Sequence, residues 1–206
     1  MRKKLVAALA AALLAGGCAG GVDPLGLSGG FRLVQEEPRD VARSAMVVAP
    51  DIRWNRFPRT RNDINREENW TLNGPLLDGV SFLGGVENGR NIVRQRRKED
   101  RQVPRFRSDM QPQEIASLIE SFYRVRGGST EFAMTNLEPR LFLGRTGFQF
   151  DYDHLTGDEV RRRGRAVGAV VDGRLYMILW DAARSHYYGA GLPHYERLVT
   201  SARLRG

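Results

Sequence analysis

Stretches of alternating apolar and polar residues in the C-terminal half of the chain predict antiparallel β-strands. These stretches are residues 131–135, 141–143, 148–152, 165–171 and 174–181. Gln149 and Asp151 alternate with aromatic residues, so one face of that strand is expected to be polar. Asp172 and Gly173 separate the last two stretches and are a strong signal for a two-residue hairpin turn. The apolar run at residues 175–180 predicts that the last strand lies centrally in the sheet.

The N-terminal half carries shorter stretches of strand-like character. They comprise residues 45–49, 70–72, 79–85 and 91–93. Asn88-Gly89 is a turn signal, and residues 91–93 are expected to return from it as a strand. Trp54 lies in the amphipathic stretch of residues 52–55 and is a candidate for an exposed recognition residue.

Two segments repeat apolar residues at the spacing of an α-helix. In the first, four apolar residues fall at positions i, i+3, i+4 and i+7, namely Ile115, Leu118, Ile119 and Phe122. Asp109 suits the cap of this helix and Pro112 suits its first turn, and Gly127-Gly128 is expected to end it. A second helix is expected to begin at Pro193, with an apolar face of Tyr195, Leu198, Val199 and Ala202. The whole pattern predicts an α+β fold with one antiparallel β-sheet and two main α-helices.

The first 17 residues have the pattern of a cleavable export signal. The cations Arg2, Lys3 and Lys4 precede an unbroken run of Leu, Val and Ala at residues 5–14, and small residues follow this run. The run is far shorter than the roughly 20 apolar residues that a membrane-spanning helix needs. The chain is therefore expected to be exported, and no transmembrane helix is expected.

Cys18 directly follows those small residues and is the only cysteine in the chain. The segment Ala15-Gly16-Gly17-Cys18 resembles a lipobox, at which bacteria attach diacylglycerol to the cysteine and cleave before it. Ala15 stands where leucine is commoner, and the alternative is an ordinary signal with a cysteine nearby. Acyl chains on Cys18 would anchor the protein, since each buried CH2 contributes about 0.8 kcal/mol. Ala19 stands where aspartate would favour retention in the inner membrane, so the outer membrane is expected, with the protein facing the periplasm.

These features divide the chain into three regions. Residues 1–17 are the lipoprotein signal peptide, and residues 18–43 are the lipidated cysteine with a flexible tether rich in Gly. Residues 44–206 are then expected to form a single globular α+β domain.

The composition and the export signal argue against several classes of function. The formal net charge of +8 falls to about +5 once the three cations of the signal are removed. A single, acylated cysteine leaves no residue for a disulfide, for thiol chemistry or for a cysteine-based zinc site. The export signal argues against a nucleic-acid partner, and no cofactor or metal is expected.

The order of elements in residues 70–204 points to a known family. The segments concerned are a strand with one polar face at 148–152, a basic strand, a turn at Gly173, an apolar strand at 175–179, the exit Ala182-Ala183, a Tyr187-Tyr188 loop and a terminal helix ending at 198–202. This order is similar to that of the PsbP-like superfamily, which is named for an extrinsic subunit of photosystem II and includes bacterial envelope lipoproteins. The resemblance implies an antiparallel sheet covered by helices, in proteins that mostly act as scaffolds or binding modules. It carries over no catalytic residues.

A basic stretch at residues 90–107 is the first candidate site. Its candidate contact residues are Arg94, Arg96, Arg97, Lys98 and Arg101, opposed only by Glu99 and Asp100. They suit lipid head groups, lipopolysaccharide phosphates or an acidic partner. The alternative is a solvated loop between a strand and a helix, because charged runs are usually exposed.

Two further groups contain residue types that could form a binding or catalytic site. The first is an acidic cluster with one histidine, comprising Asp151, Asp153, His154, Asp158 and Glu159, which does not have EF-hand spacing. His154 is expected to point away from the two aspartates of its strand. The second is Tyr187 and Tyr188, which either pack the last helix against the sheet or line a partner groove. Ser185 and His186 are adjacent in the chain, which rarely gives a productive catalytic pair.

The sequence therefore predicts a lipid-anchored module of the cell envelope that acts as a scaffold or binds a partner protein. The partners expected are the membrane, through Cys18, and an envelope protein. Two alternatives remain. One is binding of a lipid or small anion in a pocket between sheet and helices, and the other is a hydrolase that uses His186 or His154.

Overall fold

The computed structural model of the chain describes residues 30–95, 97–98 and 103–205, and a compact unit begins at Arg32. Its elements in chain order are β1 (Arg32–Val34), β2 (Arg39–Val41), β3 (Met46–Val48), β4 (Trp54–Arg56), β5 (Glu68–Thr71), β6 (Asp78–Val86), α1 (Pro112–Gly127), β7 (Glu131–Phe142), β8 (Arg145–Leu155), β9 (Arg161–Val171), β10 (Arg174–Ala183), α2 (Tyr187–Ser201) and β11 (Arg203–Leu204). This is an α+β fold, as the pattern predicts. Neither helix in the described ranges is long and apolar enough to cross a membrane.

The strands form two antiparallel sheets, one large and one small, rather than the single sheet predicted. The large sheet has eight strands in the order β1-β4-β5-β6-β10-β9-β8-β7, and the small one has the order β11-β3-β2. β10 is flanked on both sides, so the central position predicted from its apolar run is confirmed. The β9–β10 turn has φ of +48° at Asp172 and +73° at Gly173, as the predicted two-residue turn requires.

Side chains of β10 alternate between two hydrophobic clusters on opposite faces of the large sheet. We call the first the α1 face, because Met177 and Leu179 pack there with apolar residues of α1. We call the second the α2 face, because Ile178 and Trp180 pack there with apolar residues of α2. The α2 face is shared with the small sheet, since Met46 of β3 belongs to the same cluster. The interior of the fold therefore lies on both sides of the sheet.

The cap of helix α1 lies two residues later than expected. Gln111 precedes the helix, and Glu114 receives a hydrogen bond from the Gln111 backbone N–H at 2.8 Å. Asp109, the expected cap, instead forms an ion pair with Arg107 at 3.1 Å. The reciprocal contact between Gln111 and Glu114 satisfies backbone groups of the first turn, which is why the helix starts there. Its end at Gly127 agrees with the expectation.

Helix α2 begins six residues before its expected start, and Pro193 lies inside it. The Gly-rich segment 189–191 is thus helical rather than a loop. A Cβ added to Gly191 would lie 2.3 Å from the ring of Trp180, so only glycine lets the helix approach the sheet this closely. The Trp180 indole N–H also donates to the carbonyl oxygen of Tyr188 at 3.3 Å. These tertiary contacts override the local preference of Gly and Pro for a loop.

The folded unit begins inside the range predicted for the tether. Residues 32–34 and 39–41 form strands, and Val34 and Val41 are fully buried in the α2-face cluster. Each valine supplies the buried position of a three-residue strand. Cys18 and the signal peptide lie outside the described residues.

Three further local expectations need correction. Trp54 is fully buried among aromatic rings, so it is not an exposed recognition residue. Residues 91–93 do not return as a strand after the Asn88-Gly89 turn. The edge of β6 on which they would pair is taken by β10, and Ile92 and Val93 instead pack into the α1-face cluster. The two strands expected at 131–135 and 141–143 form one strand, β7, whose pairing register shifts after Thr135.

Candidate functional site

The acidic and histidine residues of β8 are divided between the two faces of the sheet. Asp151 faces α2, whereas His154 stacks on Tyr123 of α1 with ring centroids 4.7 Å apart. The alternation along β8 predicts this division, and it prevents the group from acting as one site. In the described ranges, no set of three or more His, Cys, Asp or Glu residues is arranged to hold a metal ion.

On the α2 face, the acidic residues belong to an ion-pair network that joins strands to the helix. Arg165 of β9 contacts Asp151 at 2.7 and 3.1 Å and Glu196 of α2 at 2.9 Å. Arg140 of β7 contacts Glu196 at 2.6 Å. Burial alone would raise the pKa of Asp151, but the hydrogen bonds from Arg165 and Asn136 lower it by a larger amount, so the net pKa lies below its usual value. The network keeps both carboxylates charged and fixes α2 to the sheet.

On the α1 face, His154 is part of a buried polar group. Its Nε2 lies 2.8 Å from Asp181, and the other oxygen of Asp181 accepts a hydrogen bond from Arg162 at 2.6 Å. Arg162 also donates to the carbonyl oxygen of Leu76 at 2.8 Å. Only 2% of the His154 side chain is exposed, and aromatic rings surround it. This burial argues against His154 as a base that a substrate can reach.

The tyrosine pair packs α2 rather than lining a groove. Tyr188 is 9% exposed and belongs to the α2-face cluster, and the Arg163 guanidinium lies over its ring at 5.3 Å. Tyr187 is half-buried and packs against the same cluster. His186 is exposed, and its ring meets that of Tyr187 edge-on at 5.3 Å. The aromatic side chains therefore secure the start of the helix.

A shallow groove lies beside the outer surface of α2. Its volume is about 550 Å³, and it is lined by Ala49, Asp51, Pro193, Glu196, Arg197, Thr200 and Ser201. Asp51 contacts His194 of the same helix at 2.9 Å. The groove lies outside the two clusters, so it is not the pocket between sheet and helices expected for a lipid.

The predicted basic stretch is described only in part. Arg94, Arg97 and Lys98 are exposed, while Arg96 and Arg101 lie outside the described residues. The Arg94 guanidinium donates a hydrogen bond to the carbonyl oxygen of Arg61, which links this loop to the segment that follows β4.

The fold also brings together four arginines that are scattered in the sequence. We call this group the arginine corner, and it consists of Arg32 of β1, Arg43 of the β2–β3 turn, Arg56 of β4 and Arg59 beyond β4. Arg32 and Arg56 are direct cross-strand partners, so their side chains leave the same face of the sheet. Arg32, Arg43 and Arg59 are exposed, and Arg56 is partly exposed.

A single buried carboxylate organises the arginine corner. Glu68 contacts Arg56 at 3.0 Å and accepts a hydrogen bond at 3.1 Å from the N–H of Ala42, which precedes Arg43. Desolvation by burial lowers the pKa of Arg59, and the positive charge of Arg43 lowers it further. Positive charge is therefore in excess at this corner.

The backbone that carries Arg43 is strained. Ala42, Arg43 and Ser44 have φ of +52°, +54° and +61°, which form one left-handed turn. Such a conformation costs an L-residue roughly 1–2 kcal/mol. The turn packs closely against β6 at Gly84. A side chain at this position would clash with it, because a Cβ on residue 84 would lie 2.6 Å from the Cβ of Ala42. The fold thus maintains an unfavourable turn that leaves Arg43 exposed.

Sequence reasoning missed the arginine corner for a physical reason. Its members are spread over residues 32–59, and only the pairing of β1 with β4 makes two of them neighbours. The available signal is the frequency of arginine in this segment, whose first part falls in the range predicted for the tether.

The fold is of the PsbP-like α+β class. It aligns with the solution structure of cyanobacterial PsbP, CyanoP from Synechocystis sp. PCC 6803, with a TM-score of 0.53 and 15% identity over 92% of this chain and 98% of that chain. The structure of LpqN of Mycobacterium tuberculosis, described as involved in cell envelope biogenesis, aligns over 88% of each chain with a TM-score of 0.35 and 10% identity. No protein-family model and no curated protein matches the chain. The similarity to CyanoP supports the fold that the order of elements predicted.

Proposed function

We propose that this protein is a lipid-anchored, periplasm-facing module of the bacterial cell envelope that binds a partner protein and catalyses no reaction. The observation that carries the proposal is the position of the first strand. β1 begins at Arg32, 14 residues after Cys18, so an acyl group on Cys18 would hold a complete folded unit close to a membrane.

The use of the polar residues supports a non-enzymatic role. Asp151 and Glu196 are bound by arginines that join elements of the fold. His154 is buried and paired with Asp181. A catalytic acid or base needs access to a substrate, and these groups instead stabilise the packing of β8 and α2.

Acylation is tested by the intact mass of the full chain expressed in a Gram-negative bacterium. We expect the membrane-associated protein to begin at Cys18 and to carry the added mass of acyl chains. The Cys18→Ser variant should lack the acyl mass and should retain the signal. A wild-type mass without acyl chains would overturn the anchor.

The choice of membrane is tested by density-gradient fractionation. We expect the wild-type protein in the outer-membrane fraction, because Ala19 is not a retention signal. The Ala19→Asp variant should move to the inner membrane while its acyl mass stays the same. Wild-type protein in the inner-membrane fraction would refute the outer-membrane assignment.

The partner-binding role is tested by crosslinking in cells followed by mass spectrometry, with Cys18→Ala as the control. One dominant protein partner that is lost or reduced in the control would support the role. Crosslinks to lipid or lipopolysaccharide alone, or no crosslinks, would overturn it and favour ligand binding.

A further inference from the structure

We propose that the arginine corner is a docking surface for the anionic phospholipid headgroups of the membrane in which Cys18 is anchored. The inference deepens the proposed function and rests on its lipid anchor. It assigns a membrane-facing side to the folded unit, which the anchor alone does not specify.

The first argument is positive charge that is compensated only in part. Arg32 and Arg56 lie directly opposite each other on adjacent strands, an arrangement that is unfavourable for like charges. Arg59 and Arg43 add positive charge nearby, and the four arginines face two carboxylates, Glu68 in direct contact with Arg56 and Asp63 near Arg59. A surface of phosphates would relieve this repulsion, and guanidinium groups match phosphate geometry well.

The second argument is how the corner is built. Arg43 is exposed on the strained left-handed turn. The Glu68 carboxylate accepts a hydrogen bond from this turn, and Gly84 leaves the space in which the turn packs against β6. A strained turn persists only where the surrounding structure maintains it, and such turns concentrate at functional positions.

The third argument is proximity to the anchor. Arg32 is both a member of the corner and the first residue of the folded unit. The chain from Cys18 to Arg32 spans at most about 50 Å when fully extended, and any other conformation brings the corner closer to the membrane. β1 and β7 are the two edges of the large sheet, so the chain from Cys18 joins the folded unit at the edge that carries the corner. This geometry favours a lipid surface over a separate protein as the occupant.

The test uses the full acylated chain inserted in vesicles. Two vesicle types are compared, phosphatidylcholine alone and a mixture of phosphatidylcholine with phosphatidylglycerol. The arginine reagent phenylglyoxal is applied, and peptide mass spectrometry measures modification at each arginine. We expect modification of Arg32, Arg43 and Arg59 to slow several-fold in the anionic vesicles only. The exposed residues Arg145 and Arg161, at the other side of the sheet, should react equally in both.

The salt dependence provides a second reading of the same experiment. In 1 M salt the Debye length falls to about 3 Å, so the protection should disappear. Equal reactivity in both vesicle types, or protection in neutral vesicles as well, would overturn the proposal. Protection in native membranes but not in anionic vesicles would also overturn it, and would instead indicate a protein occupant.

A matched pair of variants tests the role of charge. Three charges are removed from the corner by Arg32→Gln, Arg43→Gln and Arg59→Gln, which should weaken docking about 100-fold and expose Arg56 to the reagent. The control removes three distant charges by Arg145→Gln, Arg161→Gln and Arg184→Gln and should behave as wild type. Arg59 donates to the carbonyl oxygen of Glu67, so an Arg32→Gln, Arg43→Gln double variant is also tested, with about 25-fold weaker docking expected if the triple variant is destabilised.

The test separates this inference from the proposed function. Acylation is measured by intact mass on the same preparation. A chain without acyl groups would overturn the anchor, and its corner would still be tested by flotation with anionic vesicles. An acylated chain whose corner arginines stay reactive would leave the anchor in place and overturn the docking surface.

Discussion

Glu67 is a fully buried carboxylate in the segment between β4 and β5. It contacts Arg126 in the last turn of α1 at 2.5 Å and accepts a hydrogen bond from Asn69 at 3.0 Å. Burial raises the pKa of Glu67 to about 7, although Arg126 and Asn69 act in the opposite direction. The side chain therefore gains a proton within the pH range that an envelope protein meets.

This shift predicts a specific pH dependence of stability. Between about pH 4.5 and 7 the folded chain holds the Glu67 proton and the unfolded chain has released it, so the stability contributed by this group falls as pH rises through that window. The full effect is at most about 3 kcal/mol. We expect the free energy of unfolding in urea to decline less between pH 5 and 7.5 in Glu67→Gln than in wild type. The exposed control Glu120→Gln should keep the wild-type slope, and parallel profiles for wild type and Glu67→Gln would contradict the prediction.

Arg162 is an arginine whose replacement by lysine would keep the charge but lose the hydrogen-bond geometry. Its guanidinium contacts Asp181 and the carbonyl oxygens of Leu76 and Asp181 at distances from 2.6 to 3.2 Å. A lysine cannot reproduce this planar set of donors. We expect Arg162→Lys to lower the free energy of unfolding by about 2–3 kcal/mol, because buried acceptors lose their partners. The control Arg161→Lys, at an exposed neighbour, should lower the free energy of unfolding by less than about 0.5 kcal/mol. Unfolding in denaturant measures both variants, and equal losses for the two would contradict the prediction.

At the scale of elements, the packing of α2 on Trp180 is the contact that determines where the helix begins. Gly191 faces the Trp180 ring, whereas nothing lies within 4 Å of a Cβ added to Gly189. Both glycines belong to the same helix, so they provide a matched pair of substitutions.

We predict opposite effects for these two substitutions. Gly191→Ala should destabilise the protein by about 1–3 kcal/mol, because the fully buried Trp180 ring has no space to move. Gly189→Ala should stabilise it by up to about 1 kcal/mol through helix propensity. Thermal unfolding distinguishes the two, and a stabilising Gly191→Ala would show that α2 does not pack as described.

The elements that could be predicted are those whose signals are local. The β9–β10 hairpin has a turn dipeptide and alternating strands within about 20 residues, and the apolar face of α1 has regular spacing. The first two turns of α2 could not be predicted, because Gly189, Gly191 and Pro193 oppose a helix locally and only contact with Trp180 reverses that preference. The arginine corner depends on the β1–β4 register, which no local signal specifies.

At the scale of the whole molecule, the short N-terminal strands are part of the fold rather than a spacer. Val34, Val41 and Ala42 are buried in the α2-face cluster, and Ala42 donates its N–H to Glu68. Burial of one valine contributes roughly 1.5–3 kcal/mol, so loss of these residues is comparable with the total stability of a domain.

We therefore predict a sharp dependence on where a truncated chain begins. A chain that begins at residue 30 should unfold cooperatively, while one that begins at residue 44 should lose about 5 kcal/mol and melt at a much lower temperature. Circular dichroism during heating measures both. Equal melting temperatures would mean that β1 and β2 contribute nothing to the fold.

The three tryptophans of the chain make the α2 face optically distinct. Trp54 lies 6.1 Å from Trp180 and 6.3 Å from Trp70 between ring centroids, and all three are fully buried. Intrinsic indole emission should therefore be blue-shifted and should report on this face alone, and the close rings should give an exciton signal in the far ultraviolet. The protein thus has a built-in probe that, followed together with the far-ultraviolet signal of the backbone, can show whether the α2 face unfolds with the rest of the chain or separately.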